Sequence, residues 1–227
     1  MITIIFAACL LVVSYCSSAE PGGGGFLEEK PSWFVEVKTS ERPFVGAPIA
    51  AWTTGSGSWI ARDLVLTCWH NYRDSWKKGA NECYIEDHEG NRYDIEIAAI
   101  NKSADVMILR VTDDIIATHT QVRISTESRA YGTLTNYGMN RGGKGFRWTT
   151  GEVRTRSDGS NVQRGTGGAT MPWNVHTGLI VQGMSGGPAF NDEGELCGVN
   201  IHGEGVDSTF VSLETIQALL DKVQVED

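Results

Sequence analysis

The first nineteen residues carry no charge, and the apolar stretch Ile2 to Tyr15 is too short for a comfortable membrane span. It runs into the small residues Ser17-Ser18-Ala19. Residues 1–19 therefore read as a secretory signal cut before Glu20, which implies a secreted protein, extracellular or periplasmic, with no membrane contact after removal. The leader also lacks the Lys or Arg that usually opens a signal peptide, which leaves a non-cleaved anchor as an alternative. Cys16 allows a lipoprotein reading, against which stands the bulky Tyr15 beside it. No basic run occurs in the chain, and the net charge of -9 is spread along it, so nucleic acid is not an expected partner. Even pairing of cysteines is excluded as well. Removal of the leader leaves Cys68, Cys83 and Cys197, which form one internal disulfide at most. Cys68 with Cys83 is the candidate, and buried free thiols are the simpler reading, with Cys197 in an apolar strand pattern. Cys/His pairs at ligand spacing are missing, so neither a metal site nor a cofactor is expected.

What is present suits a globular protein: 41% hydrophobic residues in 227 bury a core in one compact domain or in two small lobes. Residues 20–32 contain Pro21 and four successive glycines and read as a flexible linker or a short pro-piece. The folded part is expected over 33–227. Short apolar or alternating runs follow, among them Leu64–Thr67, Tyr93–Ile100, Val106–Val111, Glu195–Ile201 and Thr209–Val211. They predict an all-β barrel or sandwich. The segments Asp87–Asn91 and Asn191–Gly194 read as hairpin turns, and the glycine-rich span 138–168 as long surface loops. One helix is predicted at the end, capped by Ser212, with Leu213, Ile216, Leu220 and Val223 at helical spacing.

One constellation carries chemistry. A serine hydroxyl attacks a carbonyl only when a base takes its proton and fixed donors hold the oxyanion that forms. Gly183-Met184-Ser185-Gly186-Gly187-Pro188 sets Ser185 in a turn whose glycines permit backbone N–H groups, those of Gly183 and Ser185, to aim at one oxygen. This motif resembles the nucleophile segment of chymotrypsin-like serine peptidases. Gly55-Ser56-Gly57-Ser58-Trp59-Ile60 with Leu64-Val65-Leu66-Thr67-Cys68-Trp69-His70, and Ala104-Asp105-Val106-Met107-Ile108-Leu109, resemble the family's base-histidine and aspartate segments in the right order. The resemblance, nearer to HtrA-like and glutamyl-endopeptidase-like members, implies two six-stranded antiparallel β-barrels with a C-terminal helix. It also implies a serine endopeptidase with Ser185 as nucleophile, His70 as base and Asp105 as orienting carboxylate. Protein or peptide substrates are the implied partners. His88, His119 and His176 lack such context and read as surface residues.

The resemblance further implies a specificity pocket formed by Leu179, Ile180, Asn200, Ile201, His202 and Gly203. No acid stands at its floor, which argues against cleavage after Lys or Arg and favours apolar or small aliphatic side chains, with an acid preference left open by His202 nearby. Met184 stands where digestive relatives carry an Asp that pairs with a freed N-terminus, so activity is expected without that insertion. No PDZ-like segment follows Val223, and a monomer is expected. An α/β-hydrolase shares the Gly-x-Ser-x-Gly pattern, but it needs an acid and a His after the serine, and only 42 residues follow Ser185. A relative that binds peptides without cutting them is the alternative of a different class.

Overall fold

The computed structural model describes residues 23–41, 51–72, 82–113, 119–127, 129–140, 145–166, 169–204 and 207–223. The leader at 1–19 lies outside them. Six strands form a closed barrel: β2 (Phe34–Glu41), β3 (Ala51–Trp59), β4 (Leu64–Cys68), β5 (Cys83–Glu86), β6 (Arg92–Asn101) and β7 (Val106–Val111). Their order round the ring is β2-β3-β4-β7-β6-β5, all antiparallel, and β5 returns to β2. Alternation along the strands decides what fills the barrel. Val35, Val37, Val65, Met107, Leu109 and Val111 point inward, around Trp59 and Ile85. The residues between them point outward and are buried too. Leu64, Leu66, Cys68, Val106 and Ile108 pack against Val199, Ile201 and Val211 of the second half. A strand buried on both faces reads as an unbroken apolar run, which is why β4 shows no alternation in the sequence.

The second half is an eight-stranded sheet in the order β1-β9-β8-β12-β13-β14-β11-β10. Its strands are β1 (Gly24–Leu27), β8 (Thr133–Met139), β9 (Phe146–Glu152), β10 (Gln163–Thr166), β11 (Ala169–His176), β12 (Pro188–Phe190), β13 (Leu196–Glu204) and β14 (Asp207–Ser212). The six inner strands close on themselves, because an antiparallel bridge joins Val153 to His176. Beside it, Thr177 N–H donates to the Glu152 carbonyl at 3.0 Å and Arg154 N–H to the Val175 carbonyl at 2.9 Å. The two-barrel architecture is thus present, with β1 and β10 added at the edges. β1 lies within the segment read as a linker and pairs with β9 from Gly24↔Thr149 to Leu27↔Phe146. The span 138–168 is likewise more ordered than expected: it contains β9 and β10. Gly138, Gly145 and Gly151 mask the strand pattern there, while Phe146 and Thr149 are buried and pair with Leu27 and Gly24 of β1, remote in sequence.

Both predicted hairpin turns form. Asp87 N–H bonds the Asn91 carbonyl with Gly90 at φ 90°, and Asn191 N–H bonds the Glu195 carbonyl with Gly194 at φ 73°. The C-terminal helix spans Leu213–Leu220, and its cap Ser212 accepts the Thr215 N–H. Ile216, Leu219 and Val223 insert into the cluster between the barrels. An aromatic seam of Trp33, Phe34, Tyr137, Phe146 and Phe190 adds a second contact between the halves, with the Phe34 and Phe146 rings 4.5 Å apart.

Candidate active site

Asp105 sits in the turn between β6 and β7. The Asn101 side-chain oxygen winds that turn by accepting the Ser103 hydroxyl at 2.8 Å and the Ala104 N–H at 3.1 Å. Asp105 itself is left-handed, with φ 59°, the sole non-glycine residue so placed among the described residues. Asp tolerates this region better than most residues, and here three contacts hold it. Its carbonyl accepts the Trp69 N–H at 3.1 Å, and its carboxylate accepts the His70 N–H at 2.8 Å and faces His70 Nδ1 at 2.6 Å. The carboxylate therefore fixes both the backbone and the ring of His70, and places the Nδ1 proton.

Ser185 belongs to the loop that leads into β12. Gly183 (φ 101°) and Gly186 (φ 85°) give the loop its shape. A Cβ at Gly186 would collide with the Ser56 carbonyl oxygen and Thr67 Oγ1. First-barrel residues fasten this loop. Ser56 N–H (2.8 Å) and Asn71 Nδ2 (2.9 Å) donate to the Ser185 carbonyl, and the Ser56 hydroxyl donates to the Gly183 carbonyl at 2.7 Å. Thr67 Oγ1 donates to the Ser56 carbonyl at 2.7 Å. From the other side Gly186 N–H donates to the Asn200 carbonyl at 2.7 Å. Since Thr67 and Asn71 flank His70 in sequence, the same segment carries the imidazole and grips the serine loop. Ser56 and Asn71 were not singled out as site residues from sequence; Ser56 lies inside the glycine-flanked strand motif, which was the available signal.

The Ser185 hydroxyl donates to the Ile201 carbonyl at 2.9 Å. At the other end of the imidazole, Nε2 has the Cys68 sulfur at 3.6 Å. The His70 and Asp105 side chains are part-exposed, 28% and 15%. Burial alone would lower the His70 pKa, but the Cys68 sulfur and the Asp105 carboxylate outweigh it and push it up, to about 11. Neither Gly183 nor Ser185 N–H has an acceptor among the described residues, as oxyanion donors require.

The residues expected to line a specificity pocket are placed unevenly. Leu179 is exposed, whereas Ile180 is buried with its N–H on Ser208 Oγ at 3.0 Å. A bulge in β13 between Asn200 and His202 turns two successive side chains inward. Asn200 and Ile201 therefore face protein, Asn200 donating to the Tyr137 and Pro188 carbonyls, while His202 is exposed. Gly203 lies so close to the Ile180 carbonyl that a Cβ there would clash with it. Of the two cysteine readings free thiols hold, and the surface reading of His176 is corrected. Cys68, Cys83 and Cys197 are all free thiols. β4 and β5 are not neighbours, and Cys68 faces the cluster between the barrels while Cys83 packs against the core of the first, so the Cys68–Cys83 pairing does not form. His176, read as a surface residue, is fully buried beside Phe210, and burial lowers its pKa to about 4. His119 stacks on Trp59 at 4.0 Å. Among the described residues, no group of three or more His, Cys, Asp or Glu side chains converges to hold a metal ion.

Comparison with known proteins agrees with this architecture. The chain resembles the Rv3671c protease of M. tuberculosis in its active form, with a TM-score of 0.67 and 18% identity over 86% of this chain and 82% of that one. The inactive form of the same protease gives a TM-score of 0.64 and 17% identity, covering 86% and 90%. The serine endoprotease of Yersinia pestis gives 0.63 and 18%, covering 86% of this chain and 64% of that one. No curated protein matches the sequence. Residues 55–199, more than half of the chain, match the family of the trypsin-like peptidase domain. With its paired β-barrels and that match, the chain belongs to the trypsin-like peptidase family and has the chymotrypsin-like fold.

Proposed function

We propose that the protein is a secreted serine endopeptidase that hydrolyses peptide bonds through an acyl-enzyme, with Ser185, His70 and Asp105 as its triad. The observation that carries this reading is the 2.6 Å contact between His70 Nδ1 and the Asp105 carboxylate, made by the same segment that grips the Ser185 loop. Holding the Nδ1 proton leaves Nε2 to take the serine proton and return it to the leaving amine. The N–H groups of Gly183 and Ser185 then hold the oxyanion. Backbone of the substrate pairs with the strand Ile201–Gly203 as an added β-strand, with small or apolar side chains preferred where Ile180 meets Gly203. Met184 is fully buried and neutral, so the reading includes activity without an ion pair to a freed N-terminus.

A second reading, a peptide-binding relative that does not cut, draws on the Ser185 hydroxyl pointing to the Ile201 carbonyl. A serine-directed fluorophosphonate probe separates the two. Labelling of the mature protein that disappears in both Ser185→Ala and His70→Ala supports the enzyme. Absence of labelling in folded protein removes it. Mass spectrometry of protein recovered from the medium tests the leader: an N-terminus at or after Glu20 is the expected result.

A further inference from the structure

Cys68 is the last residue of β4, two before His70, and faces the cluster between the barrels with no exposed surface. Its sulfur lies 3.6 Å from His70 Nε2, the nitrogen that a catalytic base needs free. That distance suits a hydrogen bond to sulfur. Asp105 occupies the opposite nitrogen, so both ring nitrogens have partners. Ser185 is engaged elsewhere, with its hydroxyl on the Ile201 carbonyl. The hydroxyl and the imidazole are each satisfied without the other.

We propose that Cys68 is a positioning residue that sets a resting state of His70: its sulfur accepts the Nε2–H of the ring, and a ring held in that way has no lone pair to offer the Ser185 hydroxyl. This rests on the serine-peptidase reading for its consequence, though not for the contact itself. The groups that bear on the charge of His70 are Cys68 from β4 and Asp105 from the β6–β7 turn. Lys102 turns instead over the Trp69 ring, at 5.2 Å, and the loop Gly183–Pro188 brings no charged side chain. Of the two partners, Asp105 orients the ring from Nδ1, whereas Cys68 occupies the working end. The base is freed when the Nε2 proton passes to solvent, either as pH rises or once the ring turns off the sulfur toward an incoming substrate and loses the contact that favours its charged form. The Ser185 hydroxyl then leaves Ile201, whose carbonyl becomes available to a substrate N–H. Sulfur in this place lowers activity at neutral pH and moves the acid limb of the rate profile upward.

The test is an NMR titration of the His70 imidazole in the full chain carrying Ser185→Ala, which cannot digest itself, with and without Cys68→Ala. Removal of the sulfur is expected to lower the titration midpoint by about one pH unit or more, equivalent to a tenfold change in the population of the neutral ring. Cys68→Ser, which keeps an acceptor and a similar volume, is expected to fall between the two and serves if the alanine variant does not fold. Equal midpoints, or a higher one without sulfur, overturn the proposal whether or not the chain is a peptidase. In the Ser185 background, Cys68→Ala is expected to raise fluorophosphonate labelling at pH 7 severalfold. Slower labelling with an unchanged midpoint would assign Cys68 to packing and reject the role. Absence of labelling in every variant, with the midpoint shifted, would sink the peptidase reading and leave the Cys68–His70 contact standing.

Discussion

The Ser56 hydroxyl donates to the Gly183 carbonyl at 2.7 Å, across 127 positions of sequence, and the same oxygen accepts the Met139 N–H at 2.9 Å. Ser56 is fully buried, so no solvent replaces either bond. One side chain of the first barrel thereby holds the serine loop and the end of β8. Ser56→Ala leaves a buried carbonyl and a buried N–H unpaired, which costs about 1–3 kcal/mol. A lower urea midpoint is expected, together with slower fluorophosphonate labelling of the folded protein at its plateau stability.

Asp105→Asn separates charge from shape. Asn tolerates the left-handed backbone at φ 59° as Asp does, so circular dichroism and the thermal midpoint should change little. An amide in place of the carboxylate no longer enforces the Nδ1 proton on His70. Turnover is expected to fall on the order of 10,000-fold. Near-normal turnover would remove Asp105 from the proposed triad.

Gly186→Ala combines two penalties. The residue has φ 85°, and an added methyl group meets the Ser56 carbonyl and Thr67 Oγ1, both held by hydrogen bonds. Backbone strain alone is worth about 1–3 kcal/mol. The variant is expected to lose labelling and to melt well below the parent, whereas Gly90→Ala, at a turn with open space, should lower only the melting temperature.

His176 gives the protein a distinct acid sensitivity. Its pKa is lowered from 6.5 to about 4 by burial, so the unfolded chain binds its proton more readily than the folded one. The stability linked to it is complete above about pH 6.5 and is lost as pH falls toward 4. The gap corresponds to about 3 kcal/mol. Urea midpoints measured from pH 7 to pH 4 should fall less steeply in His176→Gln than in the parent. Glu36 and Asp87, whose folded pKa values are also lowered, add losses at the acid end in both proteins alike.

Reductant is expected to leave the melting temperature of the mature protein unchanged, since Cys68, Cys83 and Cys197 are free. Burial pushes the Cys83 and Cys197 thiols up to about 12. Slow alkylation of the folded protein at neutral pH follows, because the thiolate is the reactive form. A fall in melting temperature on reduction would show that a disulfide is present and overturn the free-thiol assignment.

The residues of the candidate site stand out in the sequence because each lies in a local pattern. Ser185 has glycines on both sides, Asp105 precedes a buried strand, and His70 lies two residues past the end of an apolar one. Short-range signals also exposed the two hairpin turns and the capped helix, since hydrogen bonds between residues two to five apart depend on local residue types. The linker reading of residues 20–32 differs from the structure over Gly24–Leu27: the glycines carry no strand signal, and pairing with β9 comes from a partner more than a hundred positions away. His176 looked solvent-exposed for the same reason, its polar neighbours in sequence giving no sign of Phe210 beside it.

The amino-acid sequence by itself determined the family and set the candidate residues His70, Asp105 and Ser185 in that family's order, because both follow from residue identity at fixed local spacing. Tertiary structure alone decided which face of β4 carries Cys68, that Ser56 and Asn71 hold the serine loop, and where the Ser185 hydroxyl points. A strand apolar on both faces does not announce its orientation, and a hydrogen bond across 127 residues exists only after two barrels have packed.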